Sequence, residues 1–553
     1  MTDQIWADVA IHCCLKRGID HFFVAPGSRC TPLTLAIARN QHTRVVQHFD
    51  ERGLAFAAVG YARATGKPGV FVCTSGTAVA NALPAVIESA MDHIPLILFT
   101  ADRPDGLRGI GANQTIDQYE IFGRYPRHFI NLPVPQDKDS ASDPQGREFL
   151  TSQLSEGIVS TETGPVHFNW MFREPFTISD ECEHEASSLA SPAENQEPKQ
   201  GVLPLIEVKG NTLIALGNCH QSEALHASQL AKRLRCPILS DITSGLDAPS
   251  FELPTEFDLP RPDTVLHLGD RITSKSWIKW TQETAQLGTQ FIHCTSTGQV
   301  INPAKVEQRH FHVPFTDLET RVVGEPSQAK FADAWSKAAK LRNQTIKNVL
   351  AEPEPLSEPA VSFFLSQELP PTSGLFIGNS MPIRDMDWFC ERGDGDTVRN
   401  VAANRGASGI DGLIATAVGY AAGLQQPTTV LLGDLSALHD LNSMALVASS
   451  AWPLIIVVIN NQGGHIFDLL PIRESKHFEQ FFNTPHDFQF DGVAKMFGLP
   501  FKRVSQMDDF KEAYQIAASL NQSQVIEVAT DRRTNIETRQ RITKAIQACS
   551  KQG

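Results

Sequence analysis

The chain has 553 residues, 41% apolar and 20% charged, which suits a globular protein of about three or four domains at ~150 residues each. A net charge of -14, from 48 Lys and Arg against 62 Asp and Glu, argues against nucleic acid or an anionic membrane as a partner, though a local arginine cluster can still take small anions. Ten cysteines without a CxxC pair, an N-terminus lacking an uninterrupted apolar core, and apolar runs well short of the ~18 residues of a membrane helix predict a cytoplasmic protein with reduced thiols, no signal peptide and no membrane span.

Short apolar runs alternate with longer helical patterns along the chain, the signature of parallel α/β sheets. Two stretches rich in Pro, Ser and Glu, Glu183 to Gly201 and Ala351 to Ala360, predict linkers. The expected fold is α/β, with three doubly wound parallel-sheet domains spanning 1–182, 202–350 and 361–553.

In the first domain, strand HFFVAP leads into a turn bearing Ser28 and Arg29. The run VVQHFDERGLAFAAVGYARATG puts Glu51 after a strand and at the head of an apolar helix. Strand LILFTA precedes a loop with Arg103, Asn113 and Gln114. In the middle domain TLIALG and TVLHLG read as strands, and Lys275 follows the second. In the third, GLFIGN opens onto Asn379, Ser380 and Arg384, and NRGASGIDG carries Arg405 and Ile410. TTVLLGD ends on Asp434; LIIVVINNQGG ends on Asn461, Gly463 and Gly464, with Ile466 and Phe467 just beyond. The stretches from Gly69 to Pro104 and from Thr428 to Gly463 share one plan: strand, small-residue turn, helix, proline, strand. The first and third domains therefore read as divergent copies of one unit.

In an open parallel sheet, ligands sit beyond the carboxyl ends of the strands. A right-handed crossover brings together the ends that carry Asp434 and Asn461. One carboxylate, one amide oxygen and the carbonyl near Gly463 make a hard-oxygen set suited to Mg2+ or Mn2+, with phosphate oxygens and water in the remaining positions. The competing structural reading makes Asp434 a helix cap and the asparagine pair an ordinary turn. Glu51 can likewise serve only as an acid at a helix N-terminus, and each arginine only as a structural ion pair. Taken together, cations on loops after strands predict a cleft for carboxylates, because a guanidinium fork matches carboxylate geometry.

The segment from Asp434 to Asn461 resembles the thiamine diphosphate signature, GDG, a spacer and NN, with Leu435 in place of the second glycine. That chemistry needs a carboxylic acid against the aminopyrimidine ring, and Glu51 is the candidate. APGSRCTPLT, HFDERG, TSGTAVAN, TADRP, GANQ, GNS with a downstream arginine, NRGASGIDG, GDLSAL and NNQGGHIF together resemble the 2-succinyl-5-enolpyruvyl-6-hydroxy-3-cyclohexene-1-carboxylate synthases of menaquinone biosynthesis. The matching runs cover the first and third domains well and the middle one weakly.

The resemblance implies that the first and third domains bind the pyrimidine and the diphosphate of thiamine diphosphate. It implies decarboxylation of 2-oxoglutarate and 1,4-addition of the succinyl unit to isochorismate. It assigns Glu51, Asn379, Ser380, Ile410, Asp434, Asn461, Gly463, Ile466 and Phe467 to the cofactor, with Asp434, Asn461 and Gly463 on the metal. Ser380, Arg384 and Arg405 fall to 2-oxoglutarate; Ser28, Arg29, Arg103, Asn113, Gln114 and Lys275 fall to isochorismate. Glu51, Gln114 and Arg384 carry the catalytic roles. A homodimer or dimer of dimers with shared active sites is also implied. Two rivals remain at this point. One is another thiamine-diphosphate 2-oxo acid decarboxylase, or an acetohydroxyacid synthase-like carboligase, which needs fewer arginines and, for the synthase, FAD. The other is a non-catalytic binding module.

Overall fold

The computed structural model describes residues 2–135, 144–174, 176, 204–351 and 355–551. The expected linker from Glu183 to Gly201, the boundaries at 182 and 202, and residues 352–354 of the second linker lie outside them. The rest of the second linker is partly corrected. Ser357 is buried and accepts the N–H of Ala360, which starts the helix Glu358–Glu368 with a proline in its first turn. Serine as cap and proline just inside form a helix start, so Glu358 to Ala360 are helix rather than linker.

Three main sheets fall within the three segments read from the sequence. Across the first, the strands run Arg44–Gln47, His21–Val24, Gly69–Cys73, Leu96–Asp102, Pro165–Met171 and His128–Leu132, which is 2-1-3-4-6-5 in chain order. Across the third, they run Asn400–Ala402, Gly374–Ile377, Thr428–Gly433, Leu454–Asn460, Gln524–Ala529 and Phe501–Val504. Counted from its own first strand, that is again 2-1-3-4-6-5, as duplication of one unit requires. The middle sheet has five strands in the order Gln308–His312, Gln290–Thr295, Thr264–Leu268, Thr212–Leu216 and Ile238–Ser240, and Ile206–Glu207 pairs separately with Val322–Val323. Neighbours pair in parallel, and the central runs GVFVC, LILFTAD, PVHFNWM and LIIVVIN are buried along their whole length. Helices cover both faces of a parallel sheet, so such strands read as unbroken apolar runs rather than alternating ones.

The order 2-1-3-4 places a topological switch point between the first and third strands of each six-stranded sheet. A glycine sits at that point in both. A Cβ on Gly27 would meet the Thr74 side chain at 2.3 Å, and a Cβ on Gly378 would meet Leu432 Cβ at 2.8 Å. The chain can leave the first strand this close to the third only without a side chain.

The chain forms two compact units: Met1–Glu197 with Asn404–Thr428 and Ser436–Leu454, and Pro198–Ala403 with Thr429–Leu435 and Ile455–Gly553. Within the first unit, the helices Glu51–Thr65 and Leu413–Leu424 pack backbone to backbone. Each follows the second strand of its own sheet, and each contains Ala-Val-Gly-Tyr-Ala, at 58–62 and 417–421. A Cβ on Gly60 would lie 1.9 Å from the carbonyl oxygen of Thr416, three residues before Gly419. A Cβ on Gly419 would lie 1.8 Å from that of Ala57, three residues before Gly60. The contact is therefore reciprocal. Flanking contacts of Gly412 with Phe56 and of Gly423 with Ala64 run in the same order along both helices, so the helices point the same way. No described helix is long and apolar enough to cross a membrane.

Gly60→Ala and Gly419→Ala should each force the helices apart and destabilise the protein by ~3 kcal/mol, the upper end for overpacking. Gly492→Ala, where a Cβ meets nothing within 4 Å, is the control and should leave the thermal midpoint unchanged or slightly raised.

Candidate active site

In the second unit, three strand ends of the third sheet converge on its switch point. Strand Gly374–Ile377 runs out through Gly378 and buried Asn379 to Ser380, which sits at φ 73 at the head of the helix Met381–Phe389. A non-glycine residue in that region costs on the order of 1–3 kcal/mol and is held there by its surroundings. Here the guanidinium of Arg384, one turn into the helix, donates to the Ser380 carbonyl. Strand Thr428–Gly433 delivers Asp434, 2% exposed. Its Oδ1 accepts the N–H of Leu435 at 2.6 Å and its Oδ2 that of Gly463 at 3.1 Å, with His486 Nε2 3.3 Å away. Burial pushes the Asp434 carboxyl up, opposed by those N–H groups and His486. No side chain would crowd the space above Gly433, where a Cβ meets nothing within 4 Å.

Strand Leu454–Asn460 brings the asparagine pair, and the two divide their work. Asn460 Nδ2 donates to the Phe488 carbonyl and to Glu527 Oε1, both at 2.9 Å, and so ties down the fold. Asn461 Nδ2 donates to Glu358 Oε1 at 2.6 Å, while its Oδ1 is buried without a hydrogen-bond partner. A buried amide oxygen without a partner is costly and calls for a cation or a donor. The Gly463 carbonyl accepts His465 N–H at 3.1 Å and keeps a second lone pair. Glycine at 463 answers to the protein itself, since a Cβ would meet the Asn483 carbonyl oxygen at 2.4 Å. Ile466 and Phe467 follow, half-buried, in the short helix His465–Leu469.

Among the described residues, no group of three or more His, Cys, Asp and Glu could hold a metal ion. One carboxylate, one amide oxygen and one carbonyl do fit a hard divalent cation that takes its other ligands from a diphosphate and water. Lys275 stands exposed at the first turn of the helix Lys275–Gln286, on the middle sheet.

In the first unit, the corresponding strand ends carry arginines. Arg29 and Arg103 are 7% and 9% exposed. Arg29 Nη1 donates to the Phe172 carbonyl at 3.1 Å and Nη2 to Glu174 Oε1 at 2.6 Å, with the guanidinium over the Phe176 ring. Arg103 Nη1 donates to the Gln114 carbonyl at 2.6 Å and to Ser75 Oγ, and Gln114 Nε2 donates to the Ser75 carbonyl at 2.9 Å. The TSGTA turn thus forms the floor under Arg103 and Gln114. Burial, and then the neighbouring Arg29, hold the Arg103 guanidinium below its usual range. Arg29 already has the Glu174 carboxylate, so an anion arriving beside Arg103 would share or displace that pairing. Gln114 sits at φ 54; Ser28, Asn113 and Gln114 are exposed around the pair.

Glu51 is the first residue of its helix and half-buried. Asp50 caps that helix by accepting from Arg52 N and Gly53 N, and itself accepts from Asn442 Nδ2 at 2.9 Å. The loop leading into the companion helix carries half-buried Arg405 and Ile410, 38% exposed. Glu88 grips that loop: Oε1 accepts Gly406 N–H at 2.9 Å and Oε2 accepts Ala407 N–H at 2.7 Å. Arg63 lies between Glu88 and Asp92, at 3.1 and 2.6 Å. At the far end, Asp440 accepts the N–H groups of Ile414 and Ala415 at 2.8 and 3.0 Å. Sequence reasoning missed Ser75, Glu88, Asp440 and Glu358, because none sits at a telling spacing from the residue it holds.

Residues 6–121 match the family described as thiamine pyrophosphate enzyme, N-terminal TPP binding domain, and 393–528 match its C-terminal TPP binding domain. The chain is 35% identical to a 2-succinyl-5-enolpyruvyl-6-hydroxy-3-cyclohexene-1-carboxylate synthase of Salinibacter ruber, over 99% of this chain and 97% of that protein. It is 36% identical to proteins of the same name from Rubrobacter xylanophilus, over 97% of each chain, and Aeromonas salmonicida, over 93% of this chain and 92% of the other.

Glu88→Gln leaves one oxygen for two loop N–H groups and should cost about 1–3 kcal/mol. Amide hydrogen exchange at Gly406 and Ala407 should speed accordingly, while exchange in strand Gly69–Cys73 stays slow.

Proposed function

The chain belongs to the 2-succinyl-5-enolpyruvyl-6-hydroxy-3-cyclohexene-1-carboxylate synthases, thiamine-diphosphate-dependent, decarboxylating C–C bond-forming transferases of menaquinone biosynthesis, and from that premise we propose how its own residues divide the work. The reaction removes CO2 from 2-oxoglutarate and adds the remaining succinyl unit to isochorismate in a 1,4 sense. When bound, thiamine diphosphate supplies the carbon nucleophile and the electron sink that the decarboxylation needs.

One observation carries the assignment of residues: the partnerless, buried Oδ1 of Asn461 on the same turn whose Gly463 N–H binds Asp434. Asp434, Asn461 and the Gly463 carbonyl hold Mg2+ or Mn2+ against the diphosphate, and Asn379 and Ser380 flank it at the neighbouring strand end. Ile410 gives the cofactor a bulky aliphatic support, and Ile466 and Phe467 give it an apolar wall. Glu51 holds a proton at the aminopyrimidine ring.

The substrates are both dicarboxylates, which accounts for the number of cations. Arg384 and Arg405, with Ser380, bind 2-oxoglutarate. Arg29 and Arg103 bind the carboxylates of isochorismate, with Ser28, Asn113, Gln114 and Lys275 around them. Gln114 and Arg384 touch the reacting parts and share the catalytic role with Glu51. The three main sheets are taken as three domains. The working form is a homodimer or dimer of dimers in which Glu51 and Asp434 of one site come from different subunits, and the protein acts in the cytoplasm.

Glu51→Ala should abolish turnover and largely spare binding of Mg2+ and thiamine diphosphate, read by calorimetry; near-normal turnover would remove Glu51 from the reaction. Arg384→Ala should lower kcat/KM for 2-oxoglutarate by ~30- to 150-fold, the ~2–3 kcal/mol of a buried charge-assisted contact, and should cost pyruvate much less. Equal losses for both substrates would refute the role.

A further inference from the structure

An amide has two ends, and only its oxygen binds a cation. The direction of Asn461 is therefore a functional variable, and the structure shows what sets it. Asn461 Nδ2 donates to Glu358 Oε1 at 2.6 Å. A carboxylate accepts but does not donate, so it can engage only the NH2 end. The oxygen end is turned away, buried and without a partner.

Glu358 is itself held on several sides. It is 4% exposed. Its backbone N–H donates to Asn535 Oδ1 at 2.9 Å, and Asn535 Nδ2 returns a bond to Glu358 Oε1 at 2.9 Å. Arg539 donates to Oε2 and, through Nε, to Asp385 Oδ1 at 3.0 Å. Arg539 donates to Oε2 while the amides of Asn461 and Asn535 donate to Oε1, so the carboxylate is held in a fixed place as an acceptor.

We propose that Glu358 is a positioning residue for the divalent cation: by capturing the NH2 end of Asn461 it aims the amide oxygen at the metal. The inference rests on the reading of Asn461 as a cation ligand. A glutamine at 358 would have one oxygen for the donors of Asn461, Asn535 and Arg539. Its own NH2 could then donate to Asn461 Oδ1 and turn the amide around, presenting N–H groups to the cation.

The test is Mn2+ binding in the presence of thiamine diphosphate, followed by the electron paramagnetic resonance signal of free Mn2+. Glu358→Gln should weaken Mn2+ binding by ~10- to 100-fold, as loss of an outer-shell partner does, with kcat recovering at saturating Mn2+. The double variant Glu358→Gln, Asn461→Asp should regain affinity to within a few-fold of the parent. Both ends of an aspartate are oxygens, so orientation no longer matters. Glu358→Asp keeps the charge for Arg539 but withdraws the acceptor by one methylene; it is the second variant should Glu358→Gln fail to fold, and it too should bind Mn2+ more weakly. Asn461→Ala is the reference. If it loses Mn2+ while Glu358→Gln and Glu358→Asp bind as the parent does, the inference is overturned and the ligand reading stands. If Asn461→Ala also binds as the parent does, both fall. A loss in Glu358→Gln that Asn461→Asp does not rescue shows a structural role and overturns the inference.

Discussion

Backbone contact between the helices Glu51–Thr65 and Leu413–Leu424 is the constraint on which the first unit depends. Helices ordinarily pack with axes 8–10 Å apart, separated by side chains. Here Gly60 and Gly419 each abut a carbonyl of the opposite helix, and alanines fill the surrounding positions. Nothing flexible remains at the crossing that could absorb a shift. Two elements of the proposed site hang from this contact. One helix begins with Glu51, and the other is entered by the loop with Arg405 and Ile410. Glu88, Arg63 and Asp92 then fix the loop against the same unit with buried charges. The roles proposed for Glu51 and Arg405 require the two to stay in register, and that rigidity serves them.

The two six-stranded sheets show how one fold supports two chemistries. Both have the same strand order, and both use a glycine where the first strand leaves beside the third. In the first sheet those ends present Arg29, Arg103 and the Ser75 turn, a cationic lining. In the third they present Asp434, Asn461 and Asn379, a lining of oxygens. Topology decides where ligands go; the residues placed there decide which ones.

Strands were legible in the sequence because a parallel sheet covered on both faces leaves unbroken apolar runs such as LIIVVIN. The duplication was legible because its two halves keep the same spacing of strand, helix and proline. Most of the proposed site was legible from motifs at strand ends. What could not be read were partners far apart in the chain: Glu358 lies 103 residues from Asn461, and Glu88 lies 318 from Gly406. Neither has a local pattern. The last three residues of the stretch Ala351 to Ala360 were misread as linker because Ser, Glu and Pro serve equally in a spacer and at a helix start. The helix crossing did leave a trace, the repeated Ala-Val-Gly-Tyr-Ala, whose meaning appears only when both copies are seen to touch.

The candidate site gathers several departures from comfortable burial. Ser380 and Gln114 hold positive φ, Arg103 lies buried beside another arginine, and Asn461 keeps a partnerless oxygen. Each of these is unfavourable by itself, and the cation and carboxylates proposed above would offset the cost at Asn461 and Arg103. Ligands that relieve such costs bind the folded state and not the unfolded one, so the stability of the chain is coupled to occupancy of its site. Such departures occur elsewhere too, in the backbone at His93, Lys305 and Thr484 and in the partnerless ring N–H groups of Trp6 and Trp170, but at these strand ends they fall on the residues proposed to meet ligands, as expected where binding rather than packing determines the residue.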